Sequence, residues 1–197
     1  GCVSDKDKND AIRVCSKLEI KFEYLDFVKE YKDKVIGYFY DEYKKGRTPN
    51  LDIMCNREIK FGLFLDWALK NDFDYVATGH YTRVEEEDGV YKLLKGIDET
   101  KDQSYFLYIL NQKQLSKVLF PVGSMCKSDV RKLAKEVGFS NHDKPDSVGI
   151  CFIGEIDIKE FLKEKIKVQK GDVLNLKGEI IGSHDGVWFY TIGQRHG

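Results

Sequence analysis

The sequence predicts an α/β fold with a Rossmann-like parallel sheet and flanking helices, a mostly helical central region and the start of a β-barrel domain. Three observations lead to this prediction. Helical and β-rich segments alternate over the first half of the chain, which is typical of a parallel sheet covered by helices. Helical periodicity then dominates from Lys101 onwards. Short β-rich runs punctuated by glycines begin at Gly171, a pattern typical of barrel domains.

Composition places the chain among ordinary globular proteins. Its 197 residues are 42% hydrophobic and 33% charged, with a net charge of −1. No apolar run is long enough to span a bilayer and no signal-peptide pattern opens the sequence, so we expect no membrane association. The five cysteines are widely spaced without a C-x-x-C pair, which argues against a disulfide scaffold and favours a reducing, cytoplasmic setting.

The first hundred residues contain alternating predicted elements. Apolar residues at i, i+3 and i+4 predict helices, and runs of β-branched and aromatic residues predict strands. In chain order we predict a helix over 11–18, a strand over 20–27, a helix over 28–39, a buried helix over 59–68, a strand over 74–80 and a hairpin of 81–84 with 90–94. The strand over 74–80 ends in Gly79 and His80. Because ligands bind beyond the carboxyl ends of parallel strands, both are candidate site residues.

The second half begins with a polar cluster and contains one long loop. Lys101, Asp102 and Gln103 precede an apolar run, where such clusters are usually caps and less often sites. The sequence predicts a long loop over residues 143–154, in which Cys151 lies between glycines, and long loops of this kind tend to be functional. Helices are predicted over 112–119, 130–137 and 158–162, and strands over 171–174, 178–181 and 186–190.

Cys55 is predicted near the first turn of the buried helix. Pro49 and Asn50 break regular structure before it, and Asn50 or Asp52 can cap the helix. Free backbone N–H groups and the positive end of the helix dipole favour a thiolate at such a position. Asp52, three residues upstream, could exchange protons there. The alternative is that Cys55 is a small, buried structural residue.

Five motifs occur in an order that is similar to one known family. They are Gly-Arg-Thr-Pro-Asn-x-Asp-x-x-Cys-Asn (46–56), Ala-Thr-Gly-His-Tyr (77–81), Lys-Asp-Gln-Ser-Tyr-Phe-Leu (101–107), Asp-Ser-x-Gly-Ile-Cys-Phe-Ile-Gly-Glu (146–155) and Tyr-Thr-Ile-Gly-Gln-Arg (190–195). Over essentially its whole length the chain resembles the bacterial-type tRNA-specific 2-thiouridylases, adenylating PP-loop tRNA-uridine 2-sulfurtransferases.

The resemblance implies an enzyme that converts the wobble uridine of tRNA to 2-thiouridine. In this family ATP and Mg²⁺ adenylate the uridine, and a cysteine persulfide, charged by a sulfur-carrier protein, replaces the activated oxygen. By resemblance Cys151 carries the persulfide, Cys55 is the nucleophile or disulfide partner, and Asp52 is the acid/base. Gly79 matches a nucleotide contact. The residues that match target-base and tRNA contacts are Asn50, Leu51, Asp52, His80, Lys101, Asp102 and Gln103, with Leu51 standing where the family usually has proline.

The resemblance also implies a division of the chain. Residues 1–100 match a partial nucleotide-binding α/β domain, residues 101–168 a mainly helical tRNA-contacting region, and residues 169–197 the start of a barrel. The family's Ser-Gly-Gly-Val-Asp-Ser loop does not occur in the sequence. Because Gly-rich loops at helix N-termini hold nucleotide phosphates, we expect this chain alone to be unable to adenylate or thiolate tRNA.

Two alternatives remain open from the sequence. Asp52, Cys55 and Cys151 could ligate an iron–sulfur cluster, for which thiolates are normal ligands and a carboxylate is less usual. The truncated chain could instead be a non-catalytic RNA-binding module.

Overall fold

The structure is a computed structural model that describes residues 4–146 and 157–195. It confirms the predicted α/β class, because helices flank a parallel strand pair, the centre is mainly helical and short strands follow. In this part of the chain, no helix is long and apolar enough to cross a membrane. The domain boundaries remain a prediction.

Three long helical stretches begin the fold. The first is α1, Ser4–Lys17. The second consists of α2 (Val28–Tyr31), a π-helical segment (Lys32–Ile36) and α3 (Gly37–Lys44). The third, which we name the central helix, runs over residues 51–70 as α4 (Leu51–Cys55), a π-helical segment (Asn56–Phe64) and α5 (Leu65–Lys70). The shorter helices are α6 (Gln112–Leu115), α7 (Lys127–Glu136) and α8 (Ile158–Lys163), with 3₁₀ turns at Ser104–Phe106 and Val187–Phe189.

The strands of the described residues form three separate pairs. β1 (Val76–Ala77) and β4 (Val118–Leu119) are parallel, with Val76 opposite Val118. β2 (Thr82–Glu87) and β3 (Val90–Lys95) form the predicted hairpin, and β5 (Gly171–Leu174) pairs antiparallel with β6 (Ile180–His184). The hairpin turn places Asp88 at φ 52° and Gly89 at φ 78°. Both angles are positive, as a tight turn that matches the strand twist requires.

The central helix contributes to two hydrophobic clusters. Its first half packs with α3, α8 and Phe189, and its second half packs with β1, β4 and the segment around Leu107. Leu51, Met54, Cys55 and Ile59 belong to the first cluster, and Phe61, Leu65 and Ala68 to the second. The buried helix predicted over 59–68 is therefore confirmed and extends further in both directions.

Two predicted strands are wrong. Residues 20–27 form no strand, and Ile20 and Tyr24 are more than half exposed. Residues 186–190 instead form the 3₁₀ turn Val187–Phe189. A β-rich segment becomes a strand only when another strand pairs with it, and none in the described ranges pairs with residues 20–27. In the second case Gly186, at φ 148°, turns the chain so that Phe189 is buried.

The helix predicted over 112–119 is wrong beyond Leu115. A capping box between Asn111 and Gln114 starts α6, but Val118 then pairs with β1 and is 1% exposed. The backbone N–H of Val76 donates to the carbonyl of Lys117 (3.0 Å). Burial of Val118 in the parallel pair therefore ends the helix before Pro121.

Asn50 caps the central helix, and its removal should destabilise the fold. Its side-chain oxygen accepts a hydrogen bond from the backbone N–H of Ile53 (3.2 Å). We expect Asn50→Ala to lower the free energy of unfolding by about 1 kcal/mol, measured by urea denaturation. Asn50→Asp is the matched control, because aspartate caps equally well; an equal loss in both variants would contradict a role for the cap.

Candidate active site

The start of the central helix carries the first group of candidate residues. Asn50 is exposed, Asp52 is partly exposed, and Leu51 and Cys55 are buried. Asp52 and Cys55 are three residues apart on one helix, so their side chains are neighbours on its surface. This placement agrees with the predicted helix start and keeps a carboxylate near the thiol.

Cys55 lies one turn deeper than the sequence predicts for a dipole-stabilised thiolate. It is the last residue of Leu51–Cys55 and is 0% exposed. Only the first four N–H groups of a helix lack an intrahelical acceptor, and Cys55 follows them. The free N–H groups invoked from the sequence are therefore not those of Cys55, and access to the thiol is controlled by packing in the first hydrophobic cluster.

Gly79 and His80 lie directly beyond the carboxyl end of β1, as predicted. The N–H of Thr78 donates to the carbonyl of Leu119 (3.0 Å) and extends the parallel pairing to this point. Gly79 is exposed, and a Cβ atom at Gly79 would meet nothing within 4 Å. The edge beside Gly79 is therefore open to a ligand.

His80 is buried in an aromatic setting and is 9% exposed. Its ring lies 5.8 Å from that of Phe61 and 6.1 Å from that of Phe120, between centroids. Nδ1 shares a hydrogen bond of 2.7 Å with the hydroxyl of Thr78. Burial, together with the charge of Lys60, lowers the pKa of His80 to about 4. His80 is therefore neutral at pH 7 and can act by hydrogen bonding, not as a cation.

Asp102 and Gln103 fix the backbone between the hairpin and the segment that follows it. Asp102 accepts hydrogen bonds from the N–H groups of Gly96 (3.1 Å) and Ser104 (3.2 Å) and from the Ser104 hydroxyl (2.9 Å). Although burial opposes it, these bonds hold the pKa of Asp102 below its usual range. Gln103 exchanges two hydrogen bonds of 2.9 Å with the backbone of Tyr81, one through its side chain and one through its N–H. These contacts attach the segment directly beside His80.

Lys101 points to a charged cluster instead. Its Nζ lies 2.9 Å from Asp146, which also contacts Lys127 (3.0 Å) and Arg131 (3.4 Å). Hydrogen bonds from Lys101 and then Lys127 hold the pKa of Asp146 well below its usual range. Asp146 therefore remains an anion at any physiological pH.

Asn56 connects the Cys55 helix to the segment that contains Gln103. It is 2% exposed, and its side-chain NH₂ donates to the carbonyl of Phe106 (3.3 Å). Its Oδ1 is buried without a hydrogen-bond partner in the described part of the chain. The sequence placed Asn56 in a motif but gave it no role. Its burial and its hydrogen bond to Phe106, which is distant in sequence, show that it joins the two segments.

The structure thus brings the candidates together in two groups. Asn50, Leu51, Asp52 and Cys55 share the helix start, while Gly79, His80, Asp102 and Gln103 surround the end of β1; Asn56 links the two groups. Lys101 lies in the adjoining charged cluster. Cys151 lies outside the described residues. Sequence reasoning missed Lys127, Arg131 and Asp146 as a cluster, because only tertiary structure brings them together.

Comparison with known proteins assigns the family. Residues 1–155 match the family described as tRNA methyl transferase HUP domain, and residues 159–197 match the tRNA methyl transferase PRC-barrel domain. The chain belongs to the tRNA methyl transferase HUP domain family. This membership agrees with the parallel pair and with short strands that begin, but do not close, a barrel.

Similar curated proteins confirm the resemblance drawn from the motifs. This chain is 56% identical over 196 residues to the tRNA-specific 2-thiouridylase MnmA of Geobacillus thermodenitrificans. It is 54% identical to MnmA of Bacillus velezensis and 55% identical to MnmA of Staphylococcus saprophyticus. The matches cover 100% of this chain and 53% of each relative. The chain therefore spans about half the length of the curated relatives it matches.

The family implies ATP and the sequence implies a possible metal centre, and the described residues fit the two unequally. The open edge at Gly79, beyond a parallel strand, fits a contact to ATP. For a metal centre, no group of three or more His, Cys, Asp or Glu residues converges within the described ranges. The iron–sulfur set includes Cys151, outside those ranges, so that alternative stays a prediction.

The buried His80 should make stability depend on pH. Its pKa in the folded state, about 4, lies below the unfolded value of about 6.5, so the unfolded state binds the proton more tightly. Stability is then complete above the unfolded pKa and falls as the pH drops towards 4. We expect a loss of about 2 kcal/mol between pH 7 and pH 5, measured by urea unfolding.

Two variants isolate this contribution. His80→Gln retains a polar partner for Thr78 and should remove that part of the pH dependence, whereas His142→Gln, in the loop after α7, should retain it. An unchanged pH dependence in His80→Gln would contradict the assignment.

Proposed function

We propose that the chain functions in tRNA thiolation, the ATP-dependent conversion of the wobble uridine to 2-thiouridine through an adenylated uridine and a cysteine persulfide. One observation carries the proposal. Asp52 and Cys55 lie at the start of a capped helix, and the buried Asn56 joins this helix to the segment that contains Gln103. The names of relatives that match the whole chain support it. By this proposal the protein is a sulfurtransferase whose partners are tRNA and a sulfur-carrier protein.

The proposed chemistry gives each residue one task. The terminal sulfur of the Cys151 persulfide bonds to C2 of the uridine, and AMP leaves. The Cys55 thiolate then attacks Sγ of Cys151, which breaks the S–S bond and leaves the sulfur on the base. A Cys55–Cys151 disulfide remains, and an external thiol must reduce it. By this proposal Asp52, partly exposed beside Cys55, takes up or returns protons.

ATP with Mg²⁺ would supply the activation of the uridine oxygen. Among the described residues, Gly79 would contact the nucleotide at the open edge beyond β1. Asn50, Leu51 and Asp52 would contact the target base. His80 would contact tRNA as a neutral hydrogen-bonding group, and the strip Lys101, Asp102 and Gln103 would follow beside it.

Replacement of Cys151 tests the persulfide role. In the full-length gene product we expect Cys151→Ser to abolish 2-thiouridine formation while the Kd for tRNA changes less than about twofold, because a hydroxyl carries no persulfide sulfur. Mass spectrometry of nucleosides from tRNA incubated with ATP and a sulfur donor measures the product. Cys126→Ser is the matched control and should retain activity; thiolation by Cys151→Ser would remove Cys151 from this role.

Replacement of Cys55 tests the release step separately. Without Cys55 the sulfur transferred to the uridine stays bonded to Cys151. We therefore expect Cys55→Ser, without added thiol, to accumulate a covalent protein–tRNA adduct that dithiothreitol cleaves. Denaturing gel electrophoresis measures the adduct. Rapid release of 2-thiouridine tRNA by this variant under the same conditions would contradict the role of Cys55.

A further inference from the structure

Three cations converge on the single carboxylate of Asp146. Lys101 Nζ lies 2.9 Å from Oδ2, and Lys127 Nζ (3.0 Å) and Arg131 Nη2 (3.4 Å) lie beside Oδ1. All four side chains are partly exposed: Lys101 41%, Lys127 30%, Arg131 38% and Asp146 45%. One carboxylate cannot neutralise three cations, and the cluster faces solvent.

Neighbouring contacts hold these cations in place. The N–H of Lys127 donates to Asp98 Oδ2 (2.9 Å), which fixes the start of α7, and Lys127 Nζ lies 5.4 Å from the ring centroid of Tyr81. Arg131 also donates to the carbonyl of Lys144 (2.9 Å). Lys127 and Arg131 are four residues apart on α7 and so share one face. Among the residues described at this cluster, the three cations outnumber the two carboxylates, Asp146 and Asp98.

Stabilisation of the fold does not account for this arrangement. Partly exposed ion pairs contribute little to stability, typically ~0–1 kcal/mol. By contrast, the two lysines and the arginine contact the two carboxylate oxygens of Asp146 in the way that cations contact the two non-bridging oxygens of a phosphodiester. The cluster also adjoins Gln103, Tyr81 and His80 through Lys101 and the ring of Tyr81.

We propose that Lys101, Lys127 and Arg131 form a binding site for a backbone phosphate of RNA, which Asp146 occupies when no RNA is bound. RNA would displace the carboxylate and take over its three contacts. The identity of the RNA as tRNA rests on the proposed function. The site extends the predicted contact at Lys101 to two residues on α7.

The salt dependence of RNA binding tests the site. We compare the full-length gene product with the double variant Lys127→Ala/Arg131→Ala, using an unmodified tRNA transcript over a series of KCl concentrations. The expected result is a roughly tenfold weaker affinity and a log Kd against log salt slope reduced by about 2. The matched control is Lys132→Ala/Lys135→Ala, on the same helix, whose side chains form no ion pair with the described residues; it should behave as wild type. Equal slopes in the two double variants would overturn the site.

Asp146→Asn tests the exchange itself. The amide keeps the shape of the side chain but removes the competing charge, so tRNA should bind several-fold more tightly. Weaker or unchanged binding would show that Asp146 does not compete with RNA. Failure of the proposed function can be distinguished from failure of the phosphate site. In the first case the wild-type protein would make no 2-thiouridine, while Lys101, Lys127 and Arg131 would still set the salt dependence of RNA binding.

Discussion

Burial of the central helix in two hydrophobic clusters is the interaction on which both the fold and the candidate site depend. Its first half packs against α3 and α8, and its second half against the parallel pair β1–β4. Each fully buried large apolar side chain contributes about 1.5–3 kcal/mol, and Ile59 and Phe61, both nearly inaccessible, lie where the two clusters meet along this helix. The helix therefore positions its capped N-terminus, with Asp52 and Cys55, relative to the end of β1.

Hydrogen bonds, in addition to apolar packing, hold the two groups of candidate residues together. Asn56 joins the helix to Phe106, and Gln103 joins that segment to Tyr81, the residue after His80. A buried amide that lost its partner would carry a large desolvation penalty, so these bonds restrict the backbone to one arrangement. The two groups of candidate residues are thus held by contacts between segments distant in sequence. Among the contacts of α1 are the ion pairs of Lys144 with Asp7 and Asp10 and a hydrogen bond from Lys17 to the carbonyl of Gly138.

The sequence predicted the parts of the fold whose signal is local. Helical periodicity over 59–68 and the Asp-Gly turn are confirmed because each depends on neighbouring residues. The strand over 20–27 failed because strand formation needs a distant partner, and Val118 was assigned to a helix because its pairing with Val76 is equally non-local. The same holds for the site. The motifs located Cys55 and His80, but the burial of His80 depends on Phe61 and Phe120. The region of α7 was predicted only as a helix over 130–137, with no role for Lys127 or Arg131.

Neutral and positively charged side chains occupy different parts of the candidate site. At the end of β1 His80 is neutral, because burial opposes its protonation. A separate cluster of cations, Lys101, Lys127 and Arg131, surrounds Asp146. On the proposed function, neutral His80 can hydrogen-bond to tRNA at the end of β1 without adding a charge there. The charged edge suits phosphates, whose attraction acts over a Debye length. Binding strength and chemistry are then assigned to different residues, so a change in one cluster can alter RNA affinity without altering the reacting thiols.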